Sequence, residues 1–369
     1  MLSDSATARC SLAFADVVIE VVSSDGAALE WLVEFLDPWW LPTGGAADWR
    51  VRVDVSASAY RAATEARPAR TVLRECFLFD QQVLTLPAWD GREQTTVDDA
   101  ERSLYFSVSS RAVDVVADPS TKRWRFPLVW ILTEIAATRL RRRGLDLHAA
   151  AVDAGDYAVV IAGPKLSGKT SLALYLLSRS GRWVGNDRVL LGGLDTTPSV
   201  RGVPSAVKIR PETVARFPAL GELAAVHRPY LLSEAEIAVA KLATGVDVDA
   251  DLALTPAQLS SRLGVGRVAE APLGAFVFPQ VRADVRGWDA QLLSADEVIA
   301  GLTDSVYGGR RAPGTTTLFE ALEGGAHTPA IEQIAIAAGA APGYRVLLGA
   351  DVYDDDGLAG WMLDRGFVR

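Results

Sequence analysis

The sequence predicts an α/β protein in which a glycine-loop core follows a smaller α+β region. Three observations carry this. Tyr157–Ala162 is a short apolar run rich in β-branched residues, followed by Gly163-Pro164-Lys165-Leu166-Ser167-Gly168-Lys169-Thr170 and then by a helical stretch, Ser171–Arg179. Trp49-Arg50-Val51-Arg52-Val53-Asp54-Val55 alternates apolar and polar residues, as a half-buried strand does. Pro127–Leu140 is a helical run with proline in its first turn, three arginines (Arg141, Arg142, Arg143) after it, and Gly144 at its end.

In chain order, Val17–Val22 reads as a strand, Gly26–Leu36 as a helix, and Trp49–Val55 and Arg102–Val108 as further strands. Residues 1–125 are therefore expected to form an N-terminal α+β domain. It carries no glycine nest, histidine or cysteine pair, which leaves packing, substrate selection or dimer formation as its work. Residues 126–369 are expected to form the nucleotide-binding domain. Within it, Leu147–Val152 and the apolar run before Gly163 read as a hairpin, turning at Asp153-Ala154-Gly155-Asp156. Arg182–Leu191 reads as one more strand, with Asp187 embedded in it. Leu242–Leu263 is rich in aspartate and poor in aromatics, and reads as a surface insertion.

Composition narrows the function classes. The 369 residues are 49% hydrophobic and 22% charged, an ordinary globular balance. The formal net charge of −9 argues against a general nucleic-acid binder. The two cysteines, Cys10 and Cys76, show neither metal-ligand spacing nor a disulfide framework, so the expected compartment is the reducing cytoplasm. Met1–Ser5 lacks the basic start of a signal peptide, and no apolar run approaches the roughly 20 residues that cross a bilayer, so no membrane partner is expected. A homo-oligomer is left open.

The run Gly163 to Thr170 reads G-x-x-x-x-G-K-T, the P-loop pattern, in the strand–loop–helix context that gives the pattern its meaning. A loop that wraps an anion must bare its backbone N–H groups, and Gly163 and Gly168 permit the required dihedrals. The following helix points its positive end at the same phosphates. Pro164, Lys165, Leu166, Ser167 and Ser171 complete the expected cradle. Lys169 is placed to reach the β and γ phosphates, and Thr170 to set its hydroxyl on Mg²⁺. Asp187 is the carboxylate expected to organise the metal or act in catalysis; a salt bridge to Arg188 is the structural alternative. His148, one of three histidines with His227 and His327, is either structural or catalytic.

Weaker features are read conservatively. Asp351–Asp356 is taken as a solvated acidic loop. Gly308–Thr317, with Arg310 and Arg311, is taken as a flexible loop that can alternatively brace a phosphoryl group. Lys208 and Arg210 would share one face of a strand. The arginines at 141–143 are taken as cations at a helix C-terminus.

Leu147–Val152, Gly163–Thr170 and Gly185-Asn186-Asp187-Arg188, in that order and at that spacing, resemble the C-terminal catalytic domain of HPr kinase/phosphorylase and its HPr-kinase-like relatives. The resemblance is most specific over residues 145–191 and extends through Pro272–Phe278 and Gly343–Leu348; the N-terminal third resembles nothing nameable. It implies a core like that of phosphoenolpyruvate carboxykinase, use of ATP or GTP with Mg²⁺, and phosphoryl transfer to a hydroxyl of a peptide, protein or small metabolite. Relatives in peptide natural-product pathways phosphorylate peptide serines or related hydroxyls. His148, Lys169, Thr170 and Asp187 match the family pattern.

Two positions depart from it. Asn186 stands where the family has the aspartate that accepts the substrate proton, and an amide cannot take that proton. Ser199-Val200-Arg201-Gly202 lacks the family's Mg²⁺-associated glutamate. The expectations are therefore a kinase in which Asp187 or positioning alone does the work, a nucleotide-binding component of a biosynthetic complex without turnover, or a plain ATPase.

Overall fold

The computed structural model describes residues 7–65, 72–74, 84–86, 94–99, 104–109, 111–120, 124–179, 181–220, 252–307, 319–320, 329, 331–354 and 356–364. The expectations for Cys76, Arg310, Arg311, Asp355 and residues 242–251 lie outside these. The chain divides into two compact units, one containing Met1–Arg139 and the other Leu140–His227, Ala240–Arg311 and His327–Arg369. Among the described residues no helix is long and apolar enough to cross a membrane.

The first unit contains β1 (Ala8–Phe14), β2 (Val17–Ser23), α1 (Gly26–Leu36), β3 (Leu41–Pro42), β4 (Trp49–Val55), α2 (Ala57–Glu65), β5 (Val72–Arg74), β6 (Leu84–Leu86), β7 (Gln94–Asp99), β8 (Leu104–Ser109), β9 (Ala112–Ala117) and α3 (Arg125–Leu140). Seven of the strands form a mixed sheet in the order β3-β1-β2-β4-β9-β8-β7. β4 runs parallel to both its neighbours, while β1–β2 and β8–β9 are antiparallel. The alternation in β4 does what it predicts: Trp49, Val51 and Val53 are buried, while Arg50 and Arg52 face solvent. The Asp25 carboxylate accepts from the N–H groups of Ala27 and Ala28, which starts α1 at Gly26. That helix buries Trp31, Leu32, Phe35 and Leu36 along one stripe.

The second unit contains β10 (Leu145–Leu147), β11 (Ala149–Asp153), β12 (Ala158–Ala162), α4 (Lys169–Leu177), β13 (Arg182–Gly185), β14 (Val189–Gly192), β15 (Ser199–Gly202), β16 (Val207–Ile209), α5 (Pro211–Val214), β17 (Leu252–Leu254), α6 (Pro256–Leu263), β18 (Glu270–Val281), β19 (Trp288–Leu292), α7 (Ala295–Ser305), α8 (Ile331–Ala340) and β20 (Gly343–Leu348). Its main sheet runs β10-β14-β15-β18-β12-β11-β13, with β20 on β18 and β19 on β20. β12 is parallel to β18 and β18 to β20; the hairpin β11–β12 is antiparallel. The protein is thus α/β with mixed sheets. Every residue of β11 and β12 is buried, which explains their continuous apolar runs.

β18 has three partners: β15 over Glu270–Pro272, β12 from Leu273 onward, and β20 from Phe276 to Val281. Gly274 is the extra residue at the changeover, because Ala158 pairs with Leu273 and Val159 with Ala275. A Cβ on Gly274 would lie 2.1 Å from Tyr157 Cδ2. Gly274→Ala is therefore expected to cost about 1–3 kcal/mol by overpacking, read as a lowered midpoint in thermal or urea unfolding. An unchanged midpoint would mean that the Tyr157 ring moves aside freely.

Two expectations are corrected and a third is extended. The run Arg182–Leu191 is not one strand but two, β13 and β14, broken at Asn186–Arg188. Residues 252–263 are not surface insertion: they form β17 and α6, with Leu254 and Leu259 buried. Arg141 directly follows the helix that ends at Leu140, as expected, but is more than a helix-terminal cation, because its Nε donates to Asp146 Oδ2 at 2.6 Å. Gly144 is needed for a close approach, since a Cβ there would meet the Leu191 carbonyl oxygen at 2.0 Å.

Candidate functional site

Strand register brings the distant motif residues to one end of the sheet. Ala149 pairs with Ala162, so His148, just before β11, and Gly163, just after β12, leave the sheet at the same edge. Ala151 pairs with Gly185, so the chain leaving β13 through Asn186 and Asp187 emerges there too. β11 is the middle strand of the three. The His148 Nε2 lies 3.6 Å from Asp187 Oδ1, with both side chains about half exposed, 46% and 56%. Among the described residues the Asp187 carboxylate has no other ion pair or hydrogen bond. The His148 N–H donates to the Ser305 carbonyl at 2.7 Å, which anchors the histidine backbone to the end of α7.

The Gly163–Thr170 loop has the backbone that its glycines foreshadow. Gly163 and Gly168 adopt φ of +141° and +99°, and Leu166 lies at +74°. A Cβ at position 168 would also meet Val281 Cγ2 at 2.9 Å, so that half-exposed side chain would have to shift. Gly168 precedes α4 with no side-chain cap, and the first turn of a helix leaves its N–H groups without intrahelical partners. The Ser167 hydroxyl is buried inside the loop and, among the described residues, has no hydrogen-bond partner. The Lys169 ammonium folds back on its own loop, donating to the carbonyls of Gly163 at 2.8 Å and Pro164 at 3.0 Å. Pro164, Lys165 and Leu166 are exposed at the tip, and Thr170 is half-buried. The Ser171 hydroxyl lies 3.2 Å from that of Thr213, toward α5.

Asp187 occupies a tight turn rather than a strand. Its φ is +71°, the left-handed region that aspartate tolerates better than most residues. The turn is held on both flanks: the Ser205 hydroxyl donates to the Asn186 carbonyl at 2.8 Å, and the Val203 N–H to the Arg188 carbonyl at 3.1 Å. Asn186 is buried, 8% exposed, so at this turn the solvent-facing acidic group is Asp187. The expected alternative, an Asp187–Arg188 salt bridge, does not form. Arg188 turns inward, its Nη2 donating to Asp146 Oδ2 at 2.6 Å. Burial alone would push the Asp146 carboxyl up; the guanidinium charges of Arg188 and Arg141, with their hydrogen bonds, hold it below the usual carboxylate range.

Sequence reasoning missed three contributors. Asp146, Ser205 and Tyr353 lie outside every motif. Tyr353, in the short helical turn Val352–Asp354, places its hydroxyl 3.9 Å from where a Gly168 Cβ would sit, and burial pushes its phenol pKa up. The one available signal was the alternation in Leu145-Asp146-Leu147-His148, which puts a carboxylate between two core leucines. The acidic run is spent on structure: Asp351 accepts from the Gly287 N–H at 2.7 Å, and Asp356 pairs with Arg179. Among the described residues no cluster of three metal-ligating side chains forms. Lys208 and Arg210 are both exposed, as their spacing predicts.

The residues fit a phosphate with its metal. A buried Ser167 hydroxyl without a partner among the described residues, beside a left-handed Gly168, fits an anion. Thr170 and Asp187 supply hydroxyl and carboxylate oxygens, the donor types that Mg²⁺ takes.

No protein-family model and no curated protein matches the chain. Among solved structures it is similar to the HPr(Ser) kinase/phosphatase from Coxiella burnetii, at 12% identity and a TM-score of 0.22, over 40% of this chain and 72% of that one. A likeness of that size carries no argument about activity, which has to come from the residues gathered at the sheet edge.

Proposed function

We propose that the second unit is a nucleotide-dependent phosphotransferase. ATP or GTP would lie on Gly163–Thr170, and Thr170 and, directly or through water, Asp187 would hold Mg²⁺. The acceptor is a hydroxyl of a peptide, protein or small metabolite. The observation that carries the reading is the convergence of His148, Gly163 and Asp187 on one edge of three adjacent strands. In this reading the Lys169 ammonium leaves its own loop carbonyls for the phosphate oxygens. The Ser167 hydroxyl and the loop N–H groups orient the phosphates. Asp187 receives the acceptor proton and is neutralised by it, and His148 beside it takes that proton on as imidazolium, restoring the carboxylate. Bound Mg²⁺ would supply charge neutralisation to the phosphates. Phosphoryl transfer depends chiefly on positioning and electrostatics, so an amide at Asn186 does not forbid it.

Asn186 supports a second reading: a nucleotide-binding component of a biosynthetic complex that does not turn over. One experiment separates the two. The protein is incubated with Mg²⁺ and ATP or GTP, with hydroxyl-bearing peptides and metabolites as acceptors, and products are followed by mass spectrometry beside calorimetric nucleotide binding. Phosphorylated acceptor is the expected result. Binding without any nucleotide consumption supports the second reading, and no Mg²⁺-dependent binding overturns both.

A further inference from the structure

A buried ion cluster ties together the two chain segments that carry the site. Asp146 lies two residues before His148, and Arg188 directly follows Asp187. Arg188 Nε lies 3.0 and 3.1 Å from the two Asp146 oxygens, with Nη2 at 2.6 Å from Oδ2. Arg141 Nε donates to the same Oδ2 at 2.6 Å. The side chains of Arg188 and Asp146 are only 5% and 2% exposed. The Tyr307 ring faces the Arg188 guanidinium at 4.0 Å and the Arg141 guanidinium at 5.7 Å, taking up the excess positive charge. The Tyr307 N–H closes the cluster by donating to the Asp146 carbonyl at 2.7 Å.

Desolvating two arginines and an aspartate is a poor way to gain stability, since a packed apolar replacement commonly does as well. What the cluster does provide is a fixed direction for Arg188. Even for aspartate, which tolerates the left-handed region, that backbone is less favourable than the right-handed one and gains from being held, and Asp187 sits in it one residue away. We propose that Arg188 is a positioning residue: its grip on Asp146 pins the turn so that the Asp187 carboxylate is held against His148. The proposal rests on the reading of Asp187 as the functional carboxylate, and its geometry exists before any nucleotide binds.

The test therefore has two readouts on the full chain. In the metal-free protein, the His148 imidazole NMR signal, assigned through His148→Gln, is compared in wild type, Arg188→Lys, Asp187→Gly and the double variant. Lysine keeps the charge but loses the bidentate fork, and glycine adopts the left-handed turn without a carboxylate. Arg188→Lys is expected to shift the His148 signal while His227 and His327 stay in place, and to have no such effect once Asp187 is glycine. In the second readout, Mn²⁺ affinity in the presence of ATP is measured by electron paramagnetic resonance. Arg188→Lys is expected to weaken it about 10- to 100-fold, and by less than about twofold in the Asp187→Gly background.

Additive effects in either cycle, or a folded Arg188→Lys protein with an unmoved His148 signal, overturn the proposal. Failure of wild type to bind Mn²⁺ and nucleotide overturns the functional reading instead, and the NMR cycle still decides the role of Arg188. Should Arg188→Lys fail to fold, Tyr307→Leu, which removes the ring beneath Arg188, takes its place in both cycles with the same expected and overturning results.

Discussion

Asp187→Asn is expected to lower phosphoryl transfer by about 10²–10⁴-fold, the usual worth of a general base, with stability within about 0.5 kcal/mol of wild type. Both halves follow from the turn. Asparagine enters the left-handed region as readily as aspartate, so the backbone at φ +71° is kept. The side chain is 56% exposed and its one partner among the described residues is His148, so no buried group there is orphaned. What disappears is the negative charge to which the proposed function assigns the metal and the acceptor proton. Turnover by mass spectrometry, run beside thermal melts, checks the prediction. A large drop in melting temperature with undiminished turnover would make Asp187 a structural residue.

Lys169→Ala is expected to weaken Mg²⁺–nucleotide binding by roughly 1.5–3 kcal/mol, the worth of a hydrogen bond to a charged group, or about 10- to 150-fold in Kd. The structure adds a second consequence. Lys169 also tethers its own loop through the carbonyls of Gly163 and Pro164. Its removal frees the loop before the ligand arrives, so binding must order more chain and the entropic penalty should grow. Calorimetry reads both parts, the weaker Kd and the less favourable entropy. Equal affinity in the two proteins would refute the cradle.

Much of this was legible in the sequence because the signals are local. The strand of Trp49–Val55 announces itself by alternation, and the helix of Gly26–Leu36 by Asp25 before it and an apolar stripe within it. The glycine loop could be read because its spacing and flanks agree. The break at Asn186–Arg188 was hidden, since Trp183-Val184 and Val189-Leu190-Leu191 look like one buried strand when nothing marks a left-handed aspartate between them. Asp146 was hidden for another reason: its partner Arg188 is 42 residues away, and burial of a carboxylate shows only when that partner is in view. The helix Pro256–Leu263 was readable in principle. Thr255 and Gln258 form a capping box, a local signature that the acidic composition of its surroundings masked.

The bent strand β18 sets how motion is distributed around the loop. Its Phe276 and Val277 are paired on both sides, to β12 and to β20, and β12 is itself flanked by β11 and β18. Amides in such a doubly bonded, buried stretch exchange with solvent only when the whole unit opens. The strand that delivers Gly163 is thus as hard to open as the unit itself, whereas the segment from Gly163 to Gly168 hangs between that strand and a helix without a side-chain cap. A ligand is therefore expected to protect those few loop residues and the first turn of α4 against local opening, and, through its binding free energy, to slow the globally exchanging amides of β12 and β18 as well.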